Sequence, residues 1–386
     1  MHEIQIVVIV SVLLSLSFLL AACGTPAPAT PETVTVKETV VVKETVVVPP
    51  TPIPPVEGKE GTLVSASVSV APVVDGNAND AAWAMAPESV LKVQAAGIPG
   101  YDLKMKSVYT NDTVYLLLQY PDANMEASRA AWAYDPATKT WNHIPDDFGD
   151  EDEFGLWWNM TIPDFATTGC MGACHGDKMY TNAPDQNADM WTWQSVRVNP
   201  MGWGRDFLVT NDPSADDAGG FVKDEGVATN KGYANNDQDL NGVTVPAYWK
   251  PFSGAGGIST GDPRFLLQSE IDTGIAKKIT AFDPKTGVLT DETGATVPSW
   301  VQIPGFILSK PAGPSWNDIA AKGTWDNGVW TVEMSRKLDT GNKDDVQFTD
   351  LTATYYFDGY VKTRQTGAGD PHDYIPTTSF VFASKP

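Results

Sequence analysis

The chain has 386 residues, with 26 Lys and Arg against 48 Asp and Glu and a formal net charge of −22. That balance excludes nucleic acid and anionic membrane surfaces as electrostatic partners and suits docking onto a basic protein. Thirteen Trp, 12 Tyr and 14 Phe with 33 Gly and 29 Pro describe a turn-rich, aromatic, β-leaning protein rather than a helical bundle.

In chain order, Ile6 to Leu20 is an apolar stretch that ends in Ala21, Ala22 and Cys23. Leu20 to Cys23 resembles the bacterial lipobox, in which the chain is cut before the Cys and the thiol is acylated. Residues 1–22 are therefore expected to be a signal peptide and Cys23 the lipid anchor that holds an exported domain at the cell membrane or outer membrane. The segment in front, MHEIQ, carries no Lys or Arg. Residues 23–60 read as a linker, because VKETVVVKETVVV between proline clusters cannot build a core. No later run is long and apolar enough to span a membrane.

Strand-like alternation begins at Gly61. Val64 to Val70 is followed by PVVDGNANDAAW (Pro72 to Trp83), and Lys104 to Thr110 and Val114 to Tyr120 flank Asn111 and Asp112 as a hairpin. The same texture returns in Gly323 to Val332, Asp345 to Phe348, Thr352 to Phe357 and Ser379 to Phe382. Strands at both ends of a Gly- and Asn-rich middle predict an all-β fold: one sandwich over 61–386 with a large irregular, partly helical insertion at about 140–260.

That insertion contains Cys170 to His175, CMGACH. Two thiols beside an imidazole approach the haem c attachment signature C-x-x-C-H, in which the thiols add to the haem vinyl groups and the His ligates iron. Here one extra residue separates the cysteines. Covalent haem through Cys170 and Cys174, with His175 as proximal iron ligand, is the leading reading; a disulfide, a metal site or free thiols are the others. Met179 and His372 are candidates for the sixth iron ligand, with another Met, His143, a Lys or an open position as alternatives. Trp191 and Trp193 either wall the macrocycle, with Arg197 or Arg205 meeting a propionate, or are ordinary core and surface residues.

Two acidic features stand apart. Asp146, Asp147, Asp150, Glu151, Asp152 and Glu153 form a dense run that reads as a solvated face, with partner docking or calcium as a further role. Asp237, Asp239, Asn241 and Gly242 repeat the first half of a calcium loop, but the twelfth position is Tyr248, so an Asn- and Asp-rich turn is the competing reading. The sequence has no nucleophile, zinc, P-loop or dinucleotide motif, and an independent enzyme is not expected.

PVVDGNANDAAW followed by YTNDTVYLLLQY (Tyr109 to Tyr120) resembles the opening of family 9 carbohydrate-binding sandwiches. With CMGACHGDKMYT, ADMWTWQSVRVNPMGWGRD (Ala188 to Asp206) and WDNGVWTVEMSRKL (Trp325 to Leu338), the chain resembles the ethylbenzene dehydrogenase gamma-subunit-like haem-binding domains of dimethyl sulfoxide reductase-type complexes. The resemblance implies a haem domain serving a molybdenum oxidoreductase-like complex. It also implies a His shortly after Trp191, where this chain has Thr192, and Met and Lys ligands in the noncovalent members. The expectation is thus an exported, lipid-anchored, single-haem electron-transfer domain with a redox partner protein or oxidoreductase subunits. A surface carbohydrate-binding lipoprotein is the rival, resting on the same opening motif and the many tryptophans.

Overall fold

Strict alternation lays down the first strands. In the computed structural model, residues 61–94, 100–144, 151–174, 180–213, 221–223, 231–251, 265–313, 315–363 and 373–384 are described, with 170–174, 221 and 223 by backbone alone. β1 (Thr62–Ser67) is followed by β2 (Ser89–Val93), whose serine and apolar residues point inward while Val90 and Lys92 face out. β3 (Tyr101–Tyr109) and β4 (Thr113–Pro121) form the expected hairpin, closed by Thr110 N–H donating to Thr113 O at 2.9 Å.

A small hairpin, β5 (Trp132–Asp135) and β6 (Thr140–His143), precedes β7 (Glu153–Asn159), the helix α1 (Phe165–Cys174), β8 (Ala188–Gln194), β9 (Arg205–Val209) and β10 (Phe221–Lys223). Short strands follow: β11 (Tyr233–Asn235), β12 (Gln238–Leu240), β13 (Val243–Val245), β14 (Tyr248–Trp249) and β15 (Phe265–Leu267), then the single turn α2 (Gln268–Asp272). β16 (Lys277–Asp283), β17 (Val288–Asp291) and β18 (Phe306–Leu308) lead to four long strands, β19 (Ala320–Asp326), β20 (Val329–Lys337), β21 (Thr354–Lys362) and β22 (Asp373–Phe382). Among the described residues no helix is long and apolar enough to cross a membrane.

One sheet dominates, in the order β10-β9-β8-β7-β21-β22-β1-β3-β4-β20-β19, with β2 added against β3. β1 runs parallel to both β22 and β3. The sheet curls so that its two ends meet. Trp203 bridges Ala320, Gly204 N–H donates to Ile319 O at 2.9 Å, and Asn199 exchanges hydrogen bonds with the backbone of Gly323. Between the two halves lies the main core, which includes Trp158, Trp191, Trp193, Trp316 and Trp330. The fold is an all-β sandwich, as expected.

The predicted insertion at about 140–260 is differently composed. Its first half supplies β7, β8 and β9 to the main sheet, because their residues are apolar enough to be buried on both faces. The separate small sheets instead combine β5 and β6 with β12, β13, β14, β16 and β17 around a second core of Trp132, Trp141, Val245, Trp249, Ile279 and Leu289.

Two of the sequence motifs are joined physically. Glu333 of β20 accepts the backbone N–H groups of Asp75 and Gly76 at 2.9 and 2.8 Å and Trp83 Nε1–H at 2.7 Å. Gly76 has φ 84°, and a Cβ there would meet Thr324 Oγ1 at 2.6 Å, so only glycine fits. The Val-Asp-Gly stretch and its distant Trp are therefore a clasp on β20. Glu333→Ala strands three donors, and urea denaturation is expected to show a loss of about 3 kcal/mol.

Candidate functional site

α1 carries the two central cysteines and rests on β21 and β22. Its first turn is built by Asp164, whose carbonyl accepts Thr167 and Thr168 N–H at 2.9 and 3.0 Å, and is anchored by Phe165, which is buried in the main core. At Gly169 the helix breaks, with φ 61° and ψ −172°. A Cβ at that point would lie 2.4 Å from Thr377 Oγ1 and 2.5 Å from Asp358 Oδ2, so glycine lets the chain touch the sheet before it turns into the segment that ends at Cys174. Positions 170 and 174 are thereby one helical turn apart, roughly 6 Å along the axis. That separation is near the upper limit for a disulfide, which spans about 4.4–6.8 Å between Cα atoms. His175, Met179, His372 and Cys23 lie outside the described residues.

Trp191 and Trp193 stand two apart on β8, and Arg197 follows the strand. Alternation along β8 sends both indoles into the sandwich, where each is 0 % exposed. Trp191 packs on Trp158 and beneath the Arg336 guanidinium, 4.4 Å from ring centre to carbon. Trp193 meets Trp330 edge-on at 4.8 Å and donates to Asn199 Oδ1. Arg197 ion-pairs with Glu151 and Glu153 and lies over the rings of Tyr233 and Phe306. The tryptophans thus sit in the core, and Arg197 is in an internal ion pair rather than at the surface. Arg205, the other propionate candidate, is buried with its guanidinium 4.4 Å from the Phe207 ring centre. Thr192 is buried as well.

The acidic run is corrected too. Glu151 and Asp152 are 2 % and 1 % exposed, so the end of this run is interior rather than a solvated face. The reason lies downstream in the chain. Glu151 accepts Val196 and Arg197 N–H, each at 2.9 Å, along with the Arg197 side chain. Burial works to raise the Glu153 carboxyl, but the charges of Arg197 and Arg205 prevail and hold it below the usual carboxylate range. Asp146, Asp147 and Asp150 lie outside the described residues.

Asp237, Asp239 and Asn241 form a strand and its turn. β12 and β13 are joined by Asn241 and Gly242, at φ 59° and 83°, the left-handed pair that a two-residue hairpin requires. Asp237 and Asp239 are exposed, and Asp239 Oδ1 accepts Gly242 N–H at 2.9 Å. Asp239 lies in β12 and Asn241 in its turn, and Asp237 immediately precedes the strand. His143 ends β6, its ring tilted against Trp132 at 3.8 Å between centres, with Nδ1 at 2.5 Å from Ala130 O.

The charged centre of the sandwich escaped the sequence reading. Arg336, 1 % exposed, donates through Nη1 to Asp189 Oδ2 at 2.8 Å and Asp206 Oδ2 at 2.9 Å, and through Nη2 to Val346 O at 2.6 Å. Asp345 Oδ1 is 3.7 Å away. Burial opposes the charge on Arg336, yet Asp189, Asp206, Asp345 and Asp318 more than offset it. The available signal was an Arg at an inward position of β20, in register with Trp330, Val332 and Met334.

The fold is thus a curled all-β sandwich, its halves locked by a buried arginine, with a cysteine-bearing helix laid on the strands that follow the lock. Residues 62–357 match the family described as Ethylbenzene dehydrogenase, and the chain belongs to that family. No curated protein matches the sequence. A putative carbohydrate-binding protein from Bacteroides uniformis is similar at 8 % identity and TM-score 0.33, over 85 % of this chain and 94 % of that one. A carbohydrate binding module of family 9 from Caldicellulosiruptor kristjanssonii, in complex with glucose, is similar at 7 % identity and TM-score 0.32, over 84 % and 97 %.

Two outcomes are expected of the buried cluster. Arg336→Met leaves buried carboxylates uncompensated, and denaturant titration at neutral pH should show a loss of about 3–5 kcal/mol. Burial pushes the Asp318 carboxyl up to about 7, with Asp345 and Asp189 adding to the rise and Arg336 opposing it. The folded state therefore favours protonated Asp318; the stability this proton confers is whole below about pH 4, the unfolded value, and fades as pH rises towards 7. Melting temperatures across that interval should decline less steeply in Asp318→Asn.

Proposed function

We propose that this member of the family is an exported, lipid-anchored c-type haem domain that passes single electrons and is not itself a catalyst. The observation that carries the reading is the seat of CMGACH. The second part of α1 runs from Cys170 to Cys174, with His175 next in the sequence, and Gly169 fixes its start against β21 and β22. Two thiols and an imidazole are a donor set suited to covalent haem.

In this reading Cys170 and Cys174 would hold the haem covalently through thioether bonds. His175 would ligate the iron, with Met179 or His372 as the candidate for a further ligand. The haem, once bound, supplies a one-electron ferric/ferrous couple. The chain's own contribution is to fix the attachment helix on a rigid sheet and exclude water from one side of it. The donor or acceptor is a redox partner protein or the subunits of an oxidoreductase, met by the net negative charge of the domain.

A sugar-binding surface draws less support from the aromatic content than the sequence suggested. Eleven of the 13 tryptophans are buried, and Trp300, at 58 % exposure, is the one presented to solvent.

The test is made on the full chain produced in a host with cytochrome c maturation. Haem that stays with the polypeptide after denaturation, and is lost in Cys170→Ala with Cys174→Ala, is the expected result. A haem-free chain with a Cys170 to Cys174 disulfide by mass spectrometry overturns the proposal. In loaded protein, Met179→Ala and His372→Ala are compared by reduced absorption spectra; the replacement that alters the spectrum identifies the sixth ligand.

A further inference from the structure

β1 and β22, the first and last strands among the described residues, are hydrogen-bonded neighbours, and both are interior strands: β21 lies beyond β22 and β3 beyond β1. They run parallel, with Thr62, Leu63, Val64 and Ser65 in register with Ser379, Phe380, Val381 and Phe382. β1 is parallel to β3 as well, through Ser65, Ala66 and Ser67 against Ser107, Val108 and Tyr109.

Each end of the β1–β22 ladder is latched. At one end Gly61 O accepts Ser379 N–H at 3.0 Å and the Ser379 hydroxyl at 3.1 Å, and the Thr62 and Ser379 hydroxyl oxygens lie 2.8 Å apart. At the other end Ala383 N–H donates to Ser65 O at 2.8 Å, while Ala383 O accepts the Tyr109 hydroxyl at 2.6 Å. Towards β3, the buried Ser107 hydroxyl donates to Ser65 Oγ at 2.8 Å.

The direction of a load decides how such a ladder breaks. Because the strands are parallel neighbours, a pull on the chain before Thr62 and a pull on the chain after Phe382 act along them in opposite senses, and every bond of the ladder is strained together. An antiparallel pair held at one shared end opens bond by bond instead, because only the outermost bond carries the load. Sliding is blocked too. A shift of one residue turns Leu63, buried in the main core, to the wrong face, and the next register with the right facing lies roughly 7 Å further on. Forced unfolding is governed by the height of that barrier rather than by overall stability.

We propose that the β1–β22 ladder, backed by β3, is a mechanical clamp that lets the domain bear tension entering through its N-terminal segment without unfolding. Residues 23–60, read above as a tether, deliver such tension to β1 at Thr62. Since β1 is parallel to both neighbours, a lengthwise pull on it loads both ladders wherever the rest of the domain is held. The strength of the clamp depends neither on haem nor on a lipid at Cys23; only its use as a membrane mooring rests on the lipid-anchored reading.

The test stretches single molecules of the full chain with handles in two geometries. Handles on the two chain ends load the clamp lengthwise. Handles on the C-terminus and on a ligatable residue placed at the exposed Thr352 lie at the same end of the β21–β22 pair, where Thr354 faces Val381, and load it as a zipper. The end-to-end unfolding force should be higher by about twofold or more, since the ladder bonds share one barrier. Thr62→Val with Ser379→Ala removes the hydroxyl latch and keeps the backbone ladder. It should lower the end-to-end force and leave the Thr352 force unchanged. An end-to-end force no higher than the Thr352 force in the wild type, or one unchanged by the double replacement, overturns the proposal.

Discussion

A guanidinium with no water around it must find its counter-charges in the protein, and that requirement governs this sandwich. Arg336 sits on one half of the curled sheet, and Asp189 and Asp206 on the other. Apolar packing alone would tolerate small slides of one half over the other, since it is non-directional. Hydrogen bonds from one guanidinium to two strands and to Val346 O do not. The contacts at the free edges, Asn199 with Gly323 and Trp203 with Ala320, follow from the register that this ion set selects.

The motifs that link the chain to its family are mostly devices of closure. Along β20, Trp330 packs on Trp193, Glu333 clasps the Val-Asp-Gly stretch, and Arg336 holds the opposite half. Three residues spaced by three in one strand thus serve three separate junctions. Membership of the family therefore speaks first to architecture. The chemistry specific to this chain is concentrated in one short helix laid over that architecture.

Local features were legible in the sequence where the physics is local. Asn111 and Asp112 mark a hairpin because a tight turn separates two alternating runs, and the Asn241-Gly242 pair supports its turn reading by left-handed backbone. Features that depend on partners far along the chain were not. Glu151 to Glu153 read as a solvated run because the cation that buries them, Arg197, arrives 46 residues after Glu151. Trp191 and Trp193 read equally as pocket or core, because β20, which packs against Trp193, lies far along the chain. β7 to β9 read as an irregular insertion because strands buried on both faces lose the alternation that identifies a strand.

The position of β1 has a consequence for the order of folding. Its two neighbours are β3, some forty residues later, and β22, where Thr62 pairs with Ser379 across 317 positions. Non-local pairings of this kind close late, since the entropy of the intervening loop must be overcome first. α1 packs on β21 and β22, so the surface that covers it is the last part of the sheet to be synthesised.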